Sequence, residues 1–289
     1  MEKKNTLLIL ITIFLLATSV GAAGRPAVDF GTYTAPEEIS KTVGILVPLA
    51  DKEVEYLEVW LESLPATEDR SLTLEGQRLK LETRGGIYQV NMDPVTIPAE
   101  HQLLTDDNTA ALPFFLTFTV KPQDRPGQYA TALVIREMGS EGLIKESFIP
   151  INLKVEPWVK IESFVGKILV GSRGEEVGTL TNRVPGEIKV ASNSSWQIFL
   201  ECSLQEELRS GDLEMVFLTK EDSGFEVLSQ GPIRLKEGQM LLGVGGPTVF
   251  EEGDFWIKVN YFLRVKDYIS LPAGSFALPM VFSATVVEE

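Results

Sequence analysis

Residues 114–155 read FFLTFTVKPQDRPGQYATALVIREMGSEGLIKESFIPINLKV, and this stretch decides the fold. Phe114 to Val120 is built from Phe, Leu, Thr and Val, which suit a pleated, half-buried surface. Gln123-Asp124-Arg125-Pro126-Gly127 follows as a cluster of turn formers, after which Tyr129 to Arg136 resumes the strand pattern. Met138-Gly139-Ser140-Glu141-Gly142 makes a second turn before Phe148 to Val155. In that last run Ile149, Ile151, Leu153 and Val155 alternate with Pro150, Asn152 and Lys154. A period of two sends the aliphatic set to one face of a sheet and the others to the opposite face. Strands joined by tight turns, with no helix between them, predict an antiparallel sandwich or barrel.

Working outward, helical periodicity is nearly absent, and short apolar runs are punctuated by Gly, Pro, Asn and Asp. The chain also resembles itself. Ile87 to Leu104 (IYQVNMDPVTIPAEHQLL) lies over Phe225 to Leu242 (FEVLSQGPIRLKEGQMLL), with Pro94 on Pro232, Val95 on Ile233, Ile97 on Leu235, and Leu103-Leu104 on Leu241-Leu242. Upstream, Val59-Trp60-Leu61-Glu62 matches Ile198-Phe199-Leu200-Glu201, and downstream Pro126 to Tyr129 falls near Ala273 to Phe276. Three collinear blocks predict a duplicated unit, because repeats are self-similar where turns and inward apolar positions recur. The predicted organisation is a signal peptide over 1–23, a first β-sandwich over 24–156 and a second over 157–289, with the junction at Glu156-Pro157-Trp158. No Ser- or Gly-rich linker separates the two.

The first residues read as an export label: Lys3 and Lys4, the apolar run Thr6 to Val20, then the small residues Gly21-Ala22-Ala23. That run falls short of the about 20 residues a spanning helix needs, so the expectation is cleavage and no membrane segment afterwards, with retention as an N-terminal anchor the alternative. Removing 1–23 takes two lysines and one glutamate from 26 basic and 41 acidic residues, leaving a formal charge of −16. Such a surface repels phosphate backbones and predicts no nucleic-acid partner. The single cysteine, Cys202, has no internal disulfide partner and reads as a small buried side chain.

Chemistry is sparse. His101 is the only histidine and sits in the polar loop Pro98 to Gln102, which leaves Ser–His–acid and Cys–His arrangements without support. Acidic clusters at Asp51, Glu53 and Glu55, and at Thr105-Asp106-Asp107-Asn108, lack the spaced ligands of a calcium loop. Gly243-Val244-Gly245-Gly246-Pro247 is followed by Val249-Phe250 rather than a helix, so it reads as a turn or bulge and not a phosphate cradle. Asn193-Ser194-Ser195 fits the N-glycosylation pattern. Trp60, Trp196 and Trp256 lie in apolar strands and are expected in the core, and Trp158 at the junction or in the second core. No catalytic, cofactor-binding or metal residue is assigned, and no cofactor.

Ala191-Ser192-Asn193-Ser194-Ser195-Trp196 leads into a strand, and Leu271-Pro272-Ala273-Gly274-Ser275-Phe276 introduces a final strand through Val287. These segments resemble the immunoglobulin-like sandwich units of bacterial extracellular and fimbrial-type proteins, in which a turn of the form PAGxY/F often introduces the last strand. The first unit departs from this, with Arg125-Pro126-Gly127-Gln128-Tyr129 and an extra strand after it. The resemblance implies an all-β, exported protein of the periplasm, cell surface or extracellular space. The leading expectation is a structural or interaction protein without catalytic activity, pairing with a protein partner or itself through sheet edges. A carbohydrate- or ligand-binding sandwich is the alternative, with a carboxylate hydrolase behind it. Arg25 to Thr34, where Val28 and Phe30 alternate, reads as the first strand of its own domain, with donation to a neighbour as the competing reading.

Overall fold

The computed structural model describes residues 27–34, 36–50, 53–62, 72–73, 79–100, 103–104, 110–164, 170–173, 180–182, 184–204, 212–218, 225–227, 231–248, 256–266 and 278–287. The expected signal peptide therefore lies outside the described residues, as do His101, Asp51, Thr105 to Asn108 and Leu271 to Phe276. Every described element is a strand. Contacts divide the chain into unit 1, Met1–Lys121 with Pro126–Glu156, and unit 2, Pro122–Arg125 with Pro157–Glu289.

Unit 1 contains β1 (Val28–Tyr33), β2 (Ile39–Pro48), β3 (Tyr56–Glu62), β4 (Leu72–Thr73), β5 (Leu79–Thr83), β6 (Gly86–Val90), β7 (Val95–Pro98), β8 (Leu103–Leu104), β9 (Ala110–Val120), β10 (Gly127–Gly139) and β11 (Gly142–Val155). One sheet runs β1-β11-β10-β3-β7, with β4 beside β10; the other runs β2-β9-β5-β6, with β8 beside β9. The alternation read in β11 is realised: Ile149, Ile151, Leu153 and Val155 are all buried, and Pro150, Asn152 and Lys154 are not. They join Leu57, Val59 and Leu61 of β3 and Leu112, Phe114, Leu116, Phe118 and Val120 of β9 in one apolar cluster. Removing that area from water is the main stabilising term.

Two described pairs depart from the antiparallel expectation: β1 beside β11 and β4 beside β10 run parallel. No hairpin joins either pair, so nothing local dictates their direction. Arg25 to Thr34 contributes β1, which pairs within its own unit, Val28 opposite Ile151 and Tyr33 opposite Val155. A kink at Gly31, with φ of 80°, accompanies the register shift after Asp29 and is tied by the Gly31 N–H donating to Asp29 Oδ1.

Unit 2 contains β12 (Val159–Phe164), β13 (Val170–Arg173), β14 (Leu180–Asn182), β15 (Gly186–Ser192), β16 (Trp196–Cys202), β17 (Asp212–Leu218), β18 (Phe225–Val227), β19 (Ile233–Arg234), β20 (Gly238–Gly245), β21 (Ile257–Lys266) and β22 (Met280–Val286). One sheet runs β12-β15-β21-β14-β13, with β17 on β21 and β19 on β17; the other runs β18-β20-β16-β22. Its core joins Ile188, Val190, Trp196, Ile198, Leu200, Met215, Val259, Tyr261 and Phe282.

Residue matches and strand places agree in one block and part company in another. Val59 to Glu62 lies in β3 and Ile198 to Glu201 in β16, each with the same alternate residues turned inward. Val95 and Ile97 lie in β7 beside β3, whereas Ile233 lies in β19 beside β17. The strands beside β16 are β20 and β22. The offset at Pro94 and Pro232 thus pairs strands that occupy different places. Short apolar runs between turns look alike wherever they sit in a sandwich.

Candidate strand-binding edge

Strand order exposes a difference between the two units. In unit 1, β10 lies between β3 and β11, antiparallel to both. In unit 2, β22 pairs antiparallel with β16, Met280 opposite Cys202 through Val286 opposite Trp196, and no other described strand hydrogen-bonds to it. The β12 strand comes against β22 without a ladder between them.

A free edge presents unpaired N–H and C=O groups, and most proteins blunt it with charge, proline or a bulge. Unit 1 carries such devices. On β2, Lys41 reaches across to donate to the Phe30 carbonyl of β1, and the strand ends at Pro48. Described pairing with β1 covers only Ile151 to Val155 of β11; its remaining length carries Lys145, Pro150 and a register shift opposite Glu137 and Met138. By contrast β22 reads MVFSATV, with no charge, proline or glycine and an unbroken register on β16. Phe282 is 8% exposed and points inward; Val281 is 60% exposed on the outer face.

Behind β22 lies a chain of aromatic rings. Trp196 stacks on Phe225 at 5.9 Å, Phe225 meets Phe217 at 5.7 Å, Phe217 meets Tyr261 at 6.3 Å, and Tyr261 meets Phe282 at 5.5 Å. Glycines make room for these rings: a Cβ at Gly186 would run into Tyr261, at Gly243 into Phe225, and at Gly245 into Trp196. Trp196 Nε1 donates to the Gly246 carbonyl at 2.7 Å. The glycine-rich run expected as a turn or bulge is therefore mostly strand: Gly243 and Gly245 lie in β20, next to a register shift opposite Ile198 and Phe199. Burial pushes the Tyr261 phenol up to about 12.

The remaining candidates scatter. Asn193 is buried, its Nδ2 donating to the Asp124 carbonyl at 3.0 Å and its Oδ1 accepting from the Trp158 N–H at 2.9 Å. An amide so engaged has no room for a glycan, so the pattern match at Asn193-Ser194-Ser195 is not an accessible acceptor. Trp158 and Trp196 are buried. Trp60 and Trp256 are only partly so, contrary to expectation, because they face outward, where Arg136 sits 4.7 Å from the Trp60 ring and Lys160 5.4 Å from the Trp256 ring. Glu53 and Glu55 are exposed, and among the described residues no group of three His, Cys, Asp or Glu could hold a metal ion. Cys202 is buried, and burial followed by Glu237 raises its thiol pKa.

Glu137 was not anticipated. It is 1% exposed on the inward row of β10, below Leu133 and Ile135. Its Oε2 accepts from the Ala50 N–H at 2.6 Å, and Lys145 Nζ lies 3.6 Å from Oε1. Together with Glu55 N–H donating to the Met138 carbonyl at 2.9 Å, it fastens the β2–β3 connection to β10. Its signal was in the alternation Thr131, Leu133, Ile135, Glu137, had that row been continued past Arg136.

No protein-family model matches the chain, and no curated protein sequence does. Solved structures resemble it loosely. They include the CsuC–CsuE chaperone–tip adhesion subunit complex of Acinetobacter baumannii Csu pili, 11% identical over 90% of this chain and 98% of that one, TM-score 0.38. CfaE, the adhesive subunit of the CFA/I fimbria of enterotoxigenic Escherichia coli, is 9% identical over 93% and 95%, TM-score 0.33. The CooA pilin subunit of enterotoxigenic Escherichia coli is 16% identical over 48% of this chain and 95% of that one, TM-score 0.31.

Proposed function

We propose that this is an exported surface-assembly protein, built from two copies of one sandwich, whose second copy takes an extended strand from another polypeptide at the free edge of β22. Strand order supports the duplication where residue offsets do not. The sequence of neighbours β2-β9-β5-β6 in unit 1 is repeated as β15-β21-β17-β19 in unit 2, and β10-β3-β7 as β22-β16-β20. Those seven strands also follow one another in the same chain order. Unit 1 then has β11 against β10, and no described strand stands in that place against β22. That one difference carries the proposal.

Addition of a strand at an exposed edge gains affinity from main-chain hydrogen bonds and specificity from alternate side chains. Taking Leu61 opposite Leu133 as the equivalent of Leu200 opposite Phe282 gives the register. Ile149 and Ile151 of β11 face Leu133 and Thr131, so the incoming strand sets aliphatic side chains against Phe282 and Met280. The strand enters where β12 rests against β22, and the role is binding rather than catalysis.

The test uses a labelled peptide with the sequence Ser147–Val155, the strand that fills this place in unit 1. Fluorescence anisotropy with the full chain is expected to show saturable binding, lost when Ile149 and Ile151 of the peptide are replaced by Asp. Binding of neither peptide, or equal binding of both, would overturn the proposal.

A further inference from the structure

Tyr261 lies on β21 at 1% exposure, and its hydroxyl has no hydrogen-bond partner among the described residues. A buried hydroxyl left unpaired is costly, so its persistence calls for a reason. Position supplies one. The ring lies across Gly186 of β15, with the hydroxyl close to where a Cβ of residue 186 would stand. The other neighbour of β15 is β12, and the ring that Tyr261 meets on the opposite sheet is Phe282 of β22. The hydroxyl thus sits on the side of the core where β12 and β22 meet without a ladder. Gly186 keeps that space open, since any side chain there would push the ring away.

Resting on the strand-accepting reading, we infer that the Tyr261 hydroxyl is a specificity donor, and that the partner strand presents an oxygen acceptor amid its inward aliphatic side chains. The acceptor is a main-chain carbonyl or a small polar side chain. An all-apolar competitor fills the space but leaves the hydroxyl unpaired, which discriminates against it more strongly than a missing methylene would. Tyr33 provides an internal control. Its hydroxyl is also buried and without a partner among the described residues, yet it ends β1, where β11 is already in place and the Lys41 ammonium stands 5.8 Å from the ring.

The experiment compares Tyr261→Phe and Tyr33→Phe with the unsubstituted full chain, using thermal melting and the Ser147–Val155 peptide, in which Ser147 shares the row of Ile149 and Ile151 and supplies the acceptor. Tyr261→Phe is expected to leave the melting temperature of the free chain unchanged or raised, because an unsatisfied group is removed. The same change is expected to weaken peptide binding by about three- to tenfold, the loss of one hydrogen bond. Tyr33→Phe is expected to bind as the unsubstituted chain does. Unchanged affinity in Tyr261→Phe, or a lowered melting temperature with unchanged affinity, would overturn the inference and leave strand acceptance standing. Absence of peptide binding by the unsubstituted chain would overturn both.

Discussion

Replacing Glu137 by Ala removes the acceptor of the Ala50 N–H, a side chain that is itself 1% exposed. The 2.6 Å bond to a carboxylate is charge-assisted, worth about 1.5–3 kcal/mol net. The ion pair adds little, because Lys145 is 3.6 Å away and 43% exposed; such pairs contribute about 0–1 kcal/mol. Glu137→Ala is therefore expected to cost about 2–3 kcal/mol in unit 1, a roughly 30- to 150-fold shift in its unfolding equilibrium. Glu137→Gln keeps an amide oxygen for Ala50 but loses the charge assistance and the ion pair, so its cost is smaller, about 1–2 kcal/mol. Urea unfolding followed through Trp60, the only tryptophan of unit 1, reads the stability. Hydrogen exchange at the Ala50 amide reads the bond itself, and should quicken in Glu137→Ala but not in Glu137→Gln. Equal costs for the two variants, or an Ala50 amide that exchanges no faster in Glu137→Ala, would refute the reasoning.

Asn193→Ala removes the acceptor of the Trp158 N–H and a donor to the Asp124 carbonyl at once, and is expected to destabilise unit 2 by about 2–4 kcal/mol in thermal melts; Asn193→Asp, which keeps the acceptor, should fall between. Tyr261 keeps its proton up to about 12 in the folded chain, whereas an unfolded tyrosine loses it near 10. The unfolded state therefore releases its proton first, and stability stays flat below pH 10 before falling by about 1.4 kcal/mol per unit between pH 10 and 12. Urea midpoints at pH 9, 10 and 11 check this, with a shallower fall in Tyr261→Phe. Burial and Glu237 both hold the Cys202 thiol neutral, so a disulfide reagent at pH 7 should label it only after unfolding.

Much of the fold could be read from alternation. Ile149 to Val155 announced both a strand and its buried face, and the turn residues at 123–127 and 139–142 fell where β9, β10 and β11 are joined. Pairing was less legible. Nothing in Val28–Tyr33 tells it to run parallel to β11, because that choice is made by a sheet edge contributed from over a hundred residues away. The blocks at Pro94 and Pro232 matched in residue type while belonging to different neighbours, since turn chemistry and apolar alternation recur in every strand of a sandwich. Gly243 to Pro247 reads as a turn or bulge, and the register does shift beside Gly243, but Gly243 and Gly245 are strand residues whose missing side chains admit Phe225 and Trp196, an effect of packing across the sheet. The partly exposed Trp60 and Trp256 follow the same rule, for an apolar strand has two faces and only register tells which is inside. The candidate edge was half visible: an extra strand after Gly127-Gln128-Tyr129 in the first unit was apparent, and its lack of a described counterpart beside β22 needed the sheet order.

Backbone hydrogen exchange across Met280–Val286, with and without the Ser147–Val155 peptide, tests strand acceptance most directly. In the free chain the amides of β22 that face away from β16 have no described partner and should exchange quickly, alternating with slow ones along the strand. Adding the peptide should slow that fast set and leave the β16-facing set as it was. Uniformly slow exchange across β22 before the peptide is added, or a fast set that stays fast at saturating peptide, would contradict the account.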